Sequence, residues 1–134
     1  MDIRLYSQQD ENRLHELLLS EGDDWSCYSA EAAFARYKRA LQSSLVYVAY
    51  EGDTLCGYVR CRNDDGFGIY VYDLLVEKAF RGRSTGRRLM EQVCTDFPSD
   101  TVYVMSGVDG YYAKLGYPRE GSIFQVKLNK ERCL

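Results

Sequence analysis

The sequence has little of the chemistry on which several common active sites depend. It contains one histidine, His15, which nearly excludes a catalytic triad that depends on histidine. His15 falls opposite the leucines of a predicted helix, and we interpret it as a solvated surface residue. The five cysteines are Cys27, Cys56, Cys61, Cys94 and Cys133. Their number is odd and their spacing is not that of a metal site, so we expect reduced thiols and no bound metal.

An excess of charge and long apolar runs are also absent. The formal net charge is −3 at pH 7, which gives no general attraction to nucleic acid or to an anionic membrane. The sequence has no apolar run of about 18 residues that would span a bilayer, and no leader segment is evident. We therefore expect a cytoplasmic protein with neither a nucleic-acid nor a membrane partner.

The sequence does contain enough apolar residues for one domain. The chain has 134 residues, 46% of them hydrophobic, so we expect a single domain over 1–134. Periodicity predicts an α+β protein, a layered α/β arrangement with a mixed sheet in the order βααβββαβαβ. The predicted strands are 3–5, 45–50, 54–61, 69–76, 101–105 and 122–128, and the predicted helices are 9–20, 29–41, 84–97 and 110–115.

The clearest strand and the clearest amphipathic helix are neighbours in the sequence. Ile69–Val76 is apolar on both alternating faces, which is typical of a strand covered on both sides. We expect this strand to end near Val76 and the helix to begin near Ser84. The helix places its apolar residues on one stripe, which consists of Leu89, Met90, Val93, Cys94 and Phe97.

The loop between these two elements, Arg81–Gly86, predicts an anion site. Its glycines allow the backbone to approach a ligand closely, its arginines are positive, and a helix start offers unpaired N–H groups. The residue pattern of this loop excludes two nucleotide-binding loops. A Walker-type loop needs Gly-x-x-x-x-Gly-Lys-[Ser/Thr], and a Rossmann loop needs Gly-x-Gly-x-x-Gly. The simpler alternative is a tight strand-to-helix turn with solvated arginines.

A second stretch, Asp109–Gly121, follows another predicted strand, and the two stretches together resemble one family. Arg81-Gly-Arg-Ser-Thr-Gly86 resembles the acetyl-CoA motif Arg/Gln-x-x-Gly-x-Gly/Ala of the GNAT acyltransferases. Ser84 stands at the first glycine of that motif. Tyr111-Tyr-Ala-Lys-Leu-Gly-Tyr117 resembles the Phe-Tyr-x-Lys-Leu-Gly-Phe helix of the same family.

The resemblance implies a GNAT-like fold, with a mixed, mainly antiparallel central sheet and helices on both faces, and acetyl-CoA as co-substrate. The pyrophosphate would lie on the Arg81–Gly86 loop, and the pantetheine arm would lie where strands 69–76 and 101–105 splay apart. Tyr112 takes the position of a tyrosine that often protonates the departing thiolate, so it is a predicted catalytic residue. The residues expected to bind the cofactor are Leu75 and Val76, through their backbone, with Arg81, Gly82, Arg83, Ser84, Thr85, Gly86 and Asp109.

Asp73 is the one charged residue of the 69–76 strand, and an acid buried there needs a partner. Alternation predicts that its side chain shares a face with Ile69, Val71 and Leu75. We predict a catalytic role, in which Asp73 receives a proton from an acceptor amine or binds the positive charge of the acceptor. The alternative is a structural carboxylate satisfied by neighbouring backbone groups.

Residues 21–27 form an acidic loop that holds the single tryptophan of the chain. We predict that this loop binds the acceptor substrate. Trp25 would pack on an apolar part of the acceptor, and Asp23 or Asp24 would attract its cationic group. A polar surface turn is the alternative interpretation.

Two functions fit these residues. The first, implied by the resemblance, is an acetyl-CoA-dependent N-acetyltransferase that acts by direct attack of a primary amine of a small molecule or protein. The second is a degenerate acyl-CoA-binding sensor or partner-binding module, which is favoured by Ser84 in the place of a glycine. An open sheet edge also leaves a homodimer as an alternative to a monomer.

Overall fold

The computed structural model describes residues 1–128, and its architecture is of the predicted α+β class. The strands are β1 (Asp2–Leu5), β2 (Leu45–Glu51), β3 (Thr54–Asn63), β4 (Ile69–Val76) and β5 (Val102–Val104). The helices are α1 (Glu11–Ser20), α2 (Ser26–Ser29), α3 (Glu31–Gln42), α4 (Thr85–Asp96) and α5 (Asp109–Lys114). Short 3₁₀ turns lie at Gln8–Asp10, Gly22–Trp25 and Lys78–Phe80.

Within the described residues the strands form one sheet in the order β1-β2-β3-β4-β5. The pairs from β1 to β4 are antiparallel, whereas β4 and β5 are parallel and are connected by α4. The parallel ladder is short, because it runs only from the pair Ile69 and Val102 to the pair Val71 and Val104. Residues 72–76 of β4 therefore extend past the ladder toward the Arg81–Gly86 loop.

Helices cover both faces of the sheet, as their amphipathic stripes predict. On one face, α1 and α3 build the main core, and on the other face α4 buries Leu89, Met90 and Val93. Cys94 is exposed, so the stripe of α4 is narrower than predicted. The main core consists of Leu14, Leu17, Leu18, Phe34, Tyr37, Leu41, Val46, Val48, Tyr50, Leu55, Tyr58 and Leu75.

Gly57 allows the first turn of α4 to lie close to β3. A Cβ atom at this position would be 3.0 Å from the carbonyl oxygen of Leu75 and within 3.5 Å of the side chains of Leu89 and Thr85. A larger residue would have to displace a backbone group of β4 together with the start of the helix. The close packing therefore fixes α4 and its preceding loop against the end of β4.

A β-bulge at Tyr72 corrects the predicted orientation of Asp73. The register pairs Arg60 with Asp73 and then Cys61 with Val71, so Tyr72 has no counterpart in β3. Paired residues point to the same face, whereas the consecutive residues Arg60 and Cys61 point to opposite faces. Asp73 therefore faces α1 and α3, and Val71 faces α4. Simple alternation missed the extra residue, so the predicted shared face is wrong for Ile69 and Val71, whereas Leu75 does lie on the face of Asp73.

The described chain divides into two compact units, Met1–Val104 and the residues from Met105 onward. A single domain over 1–134 stays a prediction. In the second unit α5 begins at Asp109, and Val108 occupies the N-cap position. Gly116 adopts a φ of 81° just past the helix, a conformation that favours glycine and ends a helix.

The segment predicted as the last strand, 122–128, belongs to no ladder within the described residues. Ile123, Phe124 and Val126 are 62%, 85% and 95% exposed. The alternating pattern suits a strand, but a strand also needs a neighbour for its backbone N–H and C=O groups. The prediction of this element is wrong, although the predicted fold class is confirmed.

His15 is also placed differently from the prediction. Its ring stacks on Phe34 with 3.8 Å between the centroids, and its Nε2 lies 2.8 Å from the carbonyl oxygen of Ser29. The residue is half-buried, so it connects α1 with α2 and α3. The interpretation of His15 as a solvated surface residue is therefore wrong.

The cysteines that the structure describes are free thiols, as predicted, while Cys133 lies outside the described residues. The four free thiols are Cys27, Cys56, Cys61 and Cys94. Among residues 1–128, no helix has both the length and the apolar character needed to cross a membrane.

A buried aspartate, Asp10, connects β1 and β2 to the start of α1. Arg4 donates to Oδ2 at 2.9 Å and to Oδ1 at 2.6 Å. The Tyr50 hydroxyl donates to Oδ1 at 2.6 Å, and the backbone N–H of Ser7 donates to Oδ2 at 2.8 Å. Burial opposes ionisation of this carboxyl group, but the hydrogen bonds from Arg4, Tyr50 and Ser7 outweigh it and lower the pKa of Asp10. Both oxygens of Asp10 are therefore satisfied.

Candidate active site

The loop before α4 presents a run of backbone donors. The N–H groups of residues 82–87 have no acceptor among the described residues, because the helical bonds begin with Arg88 N–H to the Ser84 carbonyl at 2.9 Å. Gly82 and Ser84 adopt left-handed φ values of 80° and 63°. Turns of this kind form anion-binding concavities, and the positive end of the α4 dipole adds to the attraction. The loop therefore has the donors and the charge that suit an anion, and the binding of an anion there stays a prediction.

Ser84 adopts a backbone conformation that favours glycine. It occupies the N-cap position of α4, but its side chain makes no capping hydrogen bond. A left-handed φ costs a residue with a Cβ atom about 1–2 kcal/mol. The glycine of the acetyl-CoA motif at this position would adopt the same conformation without that cost.

Arg81 holds the loop in place. Its Nε donates to the Val76 carbonyl at 2.8 Å, and its Nη2 donates to the two carboxylate oxygens of Glu21 at 3.0 and 2.9 Å. Glu21 follows the last residue of α1, so the bridge connects the ends of β4 and α1. The sequence analysis missed Glu21 because the pair is 60 residues apart.

The other arginines add positive charge around the loop. The guanidinium carbon of Arg83 lies 5.3 Å from the centroid of the Phe80 ring, and Arg87 forms an ion pair with Glu91 at 3.9 Å. Arg83, Arg87 and Arg88 are all exposed. They are therefore placed to attract an anionic ligand to the free N–H groups.

Beyond the parallel ladder, the backbone N–H and C=O groups of β4 point alternately toward β3 and toward the open side of the strand. Hydrogen-bonded pairs alternate along an antiparallel ladder, and Glu77 N–H bonds to the Cys56 carbonyl at 2.8 Å. The register then makes Tyr58 and Leu75 the next hydrogen-bonded pair, so the backbone groups of Leu75 point to β3. The backbone groups of Leu74 and Val76 point to the open side instead. Leu74 was missed because a sequence does not show which pairs of a ladder are hydrogen-bonded.

Asp73 lies in a buried cluster on the face covered by α3 and is 5% exposed. Its Oδ2 accepts hydrogen bonds from the Tyr37 hydroxyl at 2.6 Å and from Arg60 Nε at 2.5 Å. The Tyr28 hydroxyl also makes a side-chain hydrogen bond with Asp73. Among the described residues, no fully buried side-chain oxygen lacks a hydrogen-bond partner.

Tyr58 extends this network into the core, and its hydroxyl lies 2.8 Å from that of Tyr37. Tyr37 donates its single proton to Asp73, so Tyr58 must be the donor in the bond between the two tyrosines. Burial, followed by the charges of neighbouring groups, raises the pKa of both tyrosines well above the ordinary value. Both therefore stay protonated donors at neutral pH. We call Tyr37, Tyr58, Arg60 and Asp73 the Asp73 cluster.

Aromatic rings connect the Asp73 cluster to the acidic loop. Tyr28 stacks on Tyr37 at 4.4 Å, and Trp25 packs against Tyr28 at 5.8 Å between ring centroids. Burial and the charge of Asp73 raise the pKa of Tyr28 to about 12, which indicates that the two groups are close. The structure therefore brings Trp25 and Asp73 into one region. The exposed carboxylates in the same turn as Trp25 are Asp23 and Asp24.

Tyr112 and Asp109 lie in the second unit, on α5. Tyr112 is half-buried, with its ring edge-on to Tyr111 at 5.0 Å and stacked on Tyr117 at 6.4 Å. Burial, and then the neighbouring tyrosines, raise the pKa of Tyr112. The cooperation of Tyr112 with Asp73 and the cofactor contact of Asp109 stay predictions.

Asp73 stands out in the sequence, but the side chains that hold it do not. Two signals pointed to them. Tyr37 lies at helical spacing from Phe34 and Leu41 within the predicted helix 29–41, and a buried tyrosine hydroxyl normally has a hydrogen-bond partner. Arg60 is a charged residue in a largely apolar stretch of β3, and a buried charge needs a counter-charge. The register that brings Arg60 opposite Asp73 was not visible, because it depends on the bulge at Tyr72.

Comparison with known proteins assigns this arrangement to a family. The family model described as "Acetyltransferase (GNAT) family" matches residues 11–117, which is most of the chain and includes the whole Arg81–Gly86 loop and the Tyr111–Tyr117 stretch. The chain belongs to the GNAT acetyltransferase family. The predicted family and the predicted class of enzyme, an acetyltransferase, are thereby confirmed.

Individual relatives of this GNAT chain are distant. It is similar to an uncharacterised N-acetyltransferase of Porphyra purpurea, with 24% identity over 82 residues, which is 58% of the chain and 47% of the relative. The match thus spans about half the length of that curated relative. The family implies acetyl-CoA as the co-substrate.

Solved structures share the fold. A ribosomal-protein-alanine N-acetyltransferase from Brucella melitensis biovar Abortus 2308 has a TM-score of 0.73 and 16% identity, covering 97% of this chain and 100% of that one. An aminoglycoside acetyltransferase from an uncultured soil metagenomic sample has a TM-score of 0.68 and 23% identity, covering 96% and 98%. These two proteins are named for very different acceptors, so the shared fold does not define the acceptor.

Proposed function

We propose that this GNAT chain transfers an acetyl group from acetyl-CoA to a primary amine of a small molecule or protein. The observation that carries the proposal is the run of unpartnered N–H groups at residues 82–87, at the start of α4. The pyrophosphate of acetyl-CoA is a multiply charged anion, and several converging donors at a helix start suit such a group. The exposed arginines around the loop supply the matching charge.

We assign the pantetheine arm to the part of β4 that extends past the short ladder with β5. Amide groups of the arm would pair with backbone groups on that open side, as an added strand does. The Val76 carbonyl already accepts a hydrogen bond from Arg81, so its N–H and the backbone of Leu74 are the groups we assign. Leu75, whose backbone points to β3, would contribute packing alone.

The proposed reaction forms a bond between the amine nitrogen and the thioester carbonyl carbon and breaks the bond from that carbon to sulfur. The attacking amine must be neutral. An alkylamine with a pKa near 10.4 carries a free-energy cost of about 4.6 kcal/mol to be neutral at pH 7. A group that accepts the proton of the amine therefore contributes directly to the rate.

We assign that task to Asp73. Its Oδ2 accepts hydrogen bonds from Tyr37 and Arg60, and the carboxylate so held would accept an N–H of the acceptor and then its proton, directly or through water. Trp25 would pack against the acceptor, because Tyr28 and Tyr37 connect its ring to Asp73. The exposed carboxylates of Asp23 and Asp24 favour an acceptor with a second positive charge.

The departing thiolate also needs a proton, and we assign its donor as Tyr112. Support comes from its position in the family helix. Burial raises the pKa of Tyr112, so the hydroxyl is protonated at neutral pH and is a weaker acid than a free tyrosine. A thiol has a pKa near 8.5, so the thiolate is basic enough to accept a strong hydrogen bond from a tyrosine.

The test combines binding with turnover on the full chain. Acetyl-CoA is titrated by calorimetry, and free thiol is then measured with a panel of spermidine, tyramine and a short peptide with a free α-amine and a lysine. We expect acetyl-CoA binding, release of free thiol with at least one amine, and a matching acetylated product by mass spectrometry. Binding without turnover of any amine would favour the sensor, and no binding at millimolar acetyl-CoA would defeat both functions.

Two loop variants make the binding test specific. Ser84→Gly should raise both the free energy of unfolding and the affinity for acetyl-CoA, because it removes the strained backbone and the side chain near the N–H groups. Asp65 is the matched control, since it also has a left-handed φ, of 49°, but lies in the β3–β4 hairpin. Asp65→Gly should change stability alone.

A further inference from the structure

We propose that Tyr37 and Arg60 are positioning residues, which hold the Asp73 carboxylate in the orientation in which it meets the acceptor amine. This inference rests on the proposed function, because it takes Asp73 as the group that meets the amine. It goes further by assigning two side chains that act on the acceptor through Asp73.

Both donors bind the same oxygen of Asp73. The Tyr37 hydroxyl comes from α3 and Arg60 Nε comes from β3, and their distances to Oδ2 are 2.6 and 2.5 Å. Two charge-assisted hydrogen bonds from different elements fix the rotation of the carboxylate. Consequently the carboxylate of Asp73 keeps one orientation.

Arg60 is itself held on several sides. Its guanidinium carbon lies 5.5 Å from the centroid of the Tyr37 ring and 5.7 Å from that of the Tyr72 ring. Its Nη1 donates to the Ser44 hydroxyl at 3.3 Å, and its side chain is 12% exposed. A planar guanidinium held between rings keeps one orientation, which a lysine ammonium would not.

The side chain of Tyr37 is also held in place by its neighbours. Tyr58 donates to its hydroxyl from the fully buried side, and Tyr28 stacks on its ring. The Asp73 cluster thus fixes a reacting group through side chains that are themselves fixed. Such support is functionally important, because a misplacement of about 1 Å can lower a rate about 100-fold.

The test compares Tyr37→Phe with Tyr50→Phe. Each change removes one tyrosine hydroxyl that donates at 2.6 Å to a buried aspartate, Asp73 in the first case and Asp10 in the second. For the panel amine that the wild type acetylates fastest, we expect Tyr37→Phe to lower kcat/KM about tenfold or more, as loss of a hydrogen bond to a charged group does. The Kd for acetyl-CoA should stay within twofold, and Tyr50→Phe should lower stability only.

Arginine variants give a second, independent readout. Arg60→Lys should retain part of kcat/KM for the amine, and Arg60→Met should retain less, because the lysine keeps a charge near Asp73. Arg4→Lys is the matched control at Asp10 and should leave kcat/KM within twofold of the wild type. The KM for acetyl-CoA should be unchanged in every variant.

The outcomes separate the two proposals. A wild type that acetylates no amine defeats the proposed function and this inference with it. An active wild type whose kcat/KM is unchanged in Tyr37→Phe overturns the positioning role alone. Equal losses in Tyr37→Phe and Tyr50→Phe also overturn it, because they would mean that both tyrosines act through the stability of the fold.

Discussion

Asp10 and Asp73 are buried to a similar degree, at 1% and 5% exposure, and each accepts hydrogen bonds from an arginine and a tyrosine hydroxyl. They differ in how their oxygens are used. Both oxygens of Asp10 accept hydrogen bonds, since Arg4 contacts the two of them and Ser7 adds a backbone donor. In Asp73 the donors Tyr37 and Arg60 meet on one oxygen, Oδ2, and the Tyr28 hydroxyl is a further hydrogen-bonding neighbour of the carboxylate.

The difference fits the two roles that we propose, a structural one for Asp10 and a functional one for Asp73. A buried acid gains most from partners on both oxygens. Asp10 follows that rule and holds β1 against α1. In Asp73 the donors Tyr37 and Arg60 concentrate on one oxygen, on the strand that leads to the predicted anion site.

The largest effect should come from exchanging each carboxylate for an amide. Asp73→Asn should lower kcat/KM for the amine at least 100-fold, because the amide cannot accept the amine proton. Asp10→Asn should leave kcat/KM within twofold but lower the free energy of unfolding by about 1–3 kcal/mol, the cost of weakening hydrogen bonds to a buried charged group. Steady-state kinetics and urea denaturation of both variants provide the measurement.

The comparison would fail if the two variants behaved alike. An Asp73→Asn protein with normal kcat/KM, or an Asp10→Asn protein with a 100-fold loss at unchanged acetyl-CoA affinity, would contradict it.

An effect of intermediate size is expected in the free energy of unfolding at acidic pH. The pKa of Asp10 is lowered in the folded chain, so its contribution to stability is present above the unfolded pKa near 3.9 and is lost as the pH falls through the folded value. The wild type should therefore exceed Asp10→Asn in free energy of unfolding at pH 7, and the gap should narrow below about pH 4. Urea titrations from pH 7 to pH 2.5 measure this gap, and a gap that stays constant would refute the role of Asp10.

The smallest effect concerns the tyrosines beside the two aspartates. The pKa of Tyr28 and that of Tyr6 are each raised to about 12, mainly by burial, with Asp73 contributing to the first and Asp10 to the second. Asp73→Asn should lower the pKa of Tyr28 by less than about one unit and leave that of Tyr6 unchanged. Nuclear magnetic resonance titration of labelled tyrosine rings measures both values, and an equal shift in the two would contradict a specific contact.

The same tyrosines link stability to alkaline pH. Their raised pKa values contribute stability that is fully present below the unfolded value near 10 and is lost as the pH rises through about 12. Between these two pH values, the free energy of unfolding should therefore fall less in Tyr28→Phe than in the wild type, and the same is expected of Tyr6→Phe.

Periodicity predicted most of the fold because amphipathic stripes and apolar strands depend on local spacing. The helices that contain Leu14 and Leu89 and the strand Ile69–Val76 lie where that spacing placed them. The 122–128 segment shows the limit of the method, since alternation gives a strand-forming pattern but does not supply a neighbour. The bulge at Tyr72 shows another limit, because one extra residue reverses the face of everything beyond it.

The candidate site was predictable to the extent that it is local. The Arg81–Gly86 loop and Asp73 stand out from their immediate neighbours in the sequence, and both were found. Glu21 and Tyr37 are separated from their partners by 60 and 36 residues, so only the folded chain shows these contacts. The left-handed φ of Ser84 was equally invisible, because a serine gives no sign of it.

The most direct test of the account is a ¹H–¹⁵N spectrum of the labelled chain during a titration with acetyl-CoA. The account predicts that the amide signals of residues 82–87 move together and saturate at one ligand per chain, because their N–H groups become hydrogen-bond donors to the phosphates. Unchanged signals from these amides would contradict it. So would shifts centred on the cavity of about 300 Å³ lined by Arg13, Glu16 and Asp53.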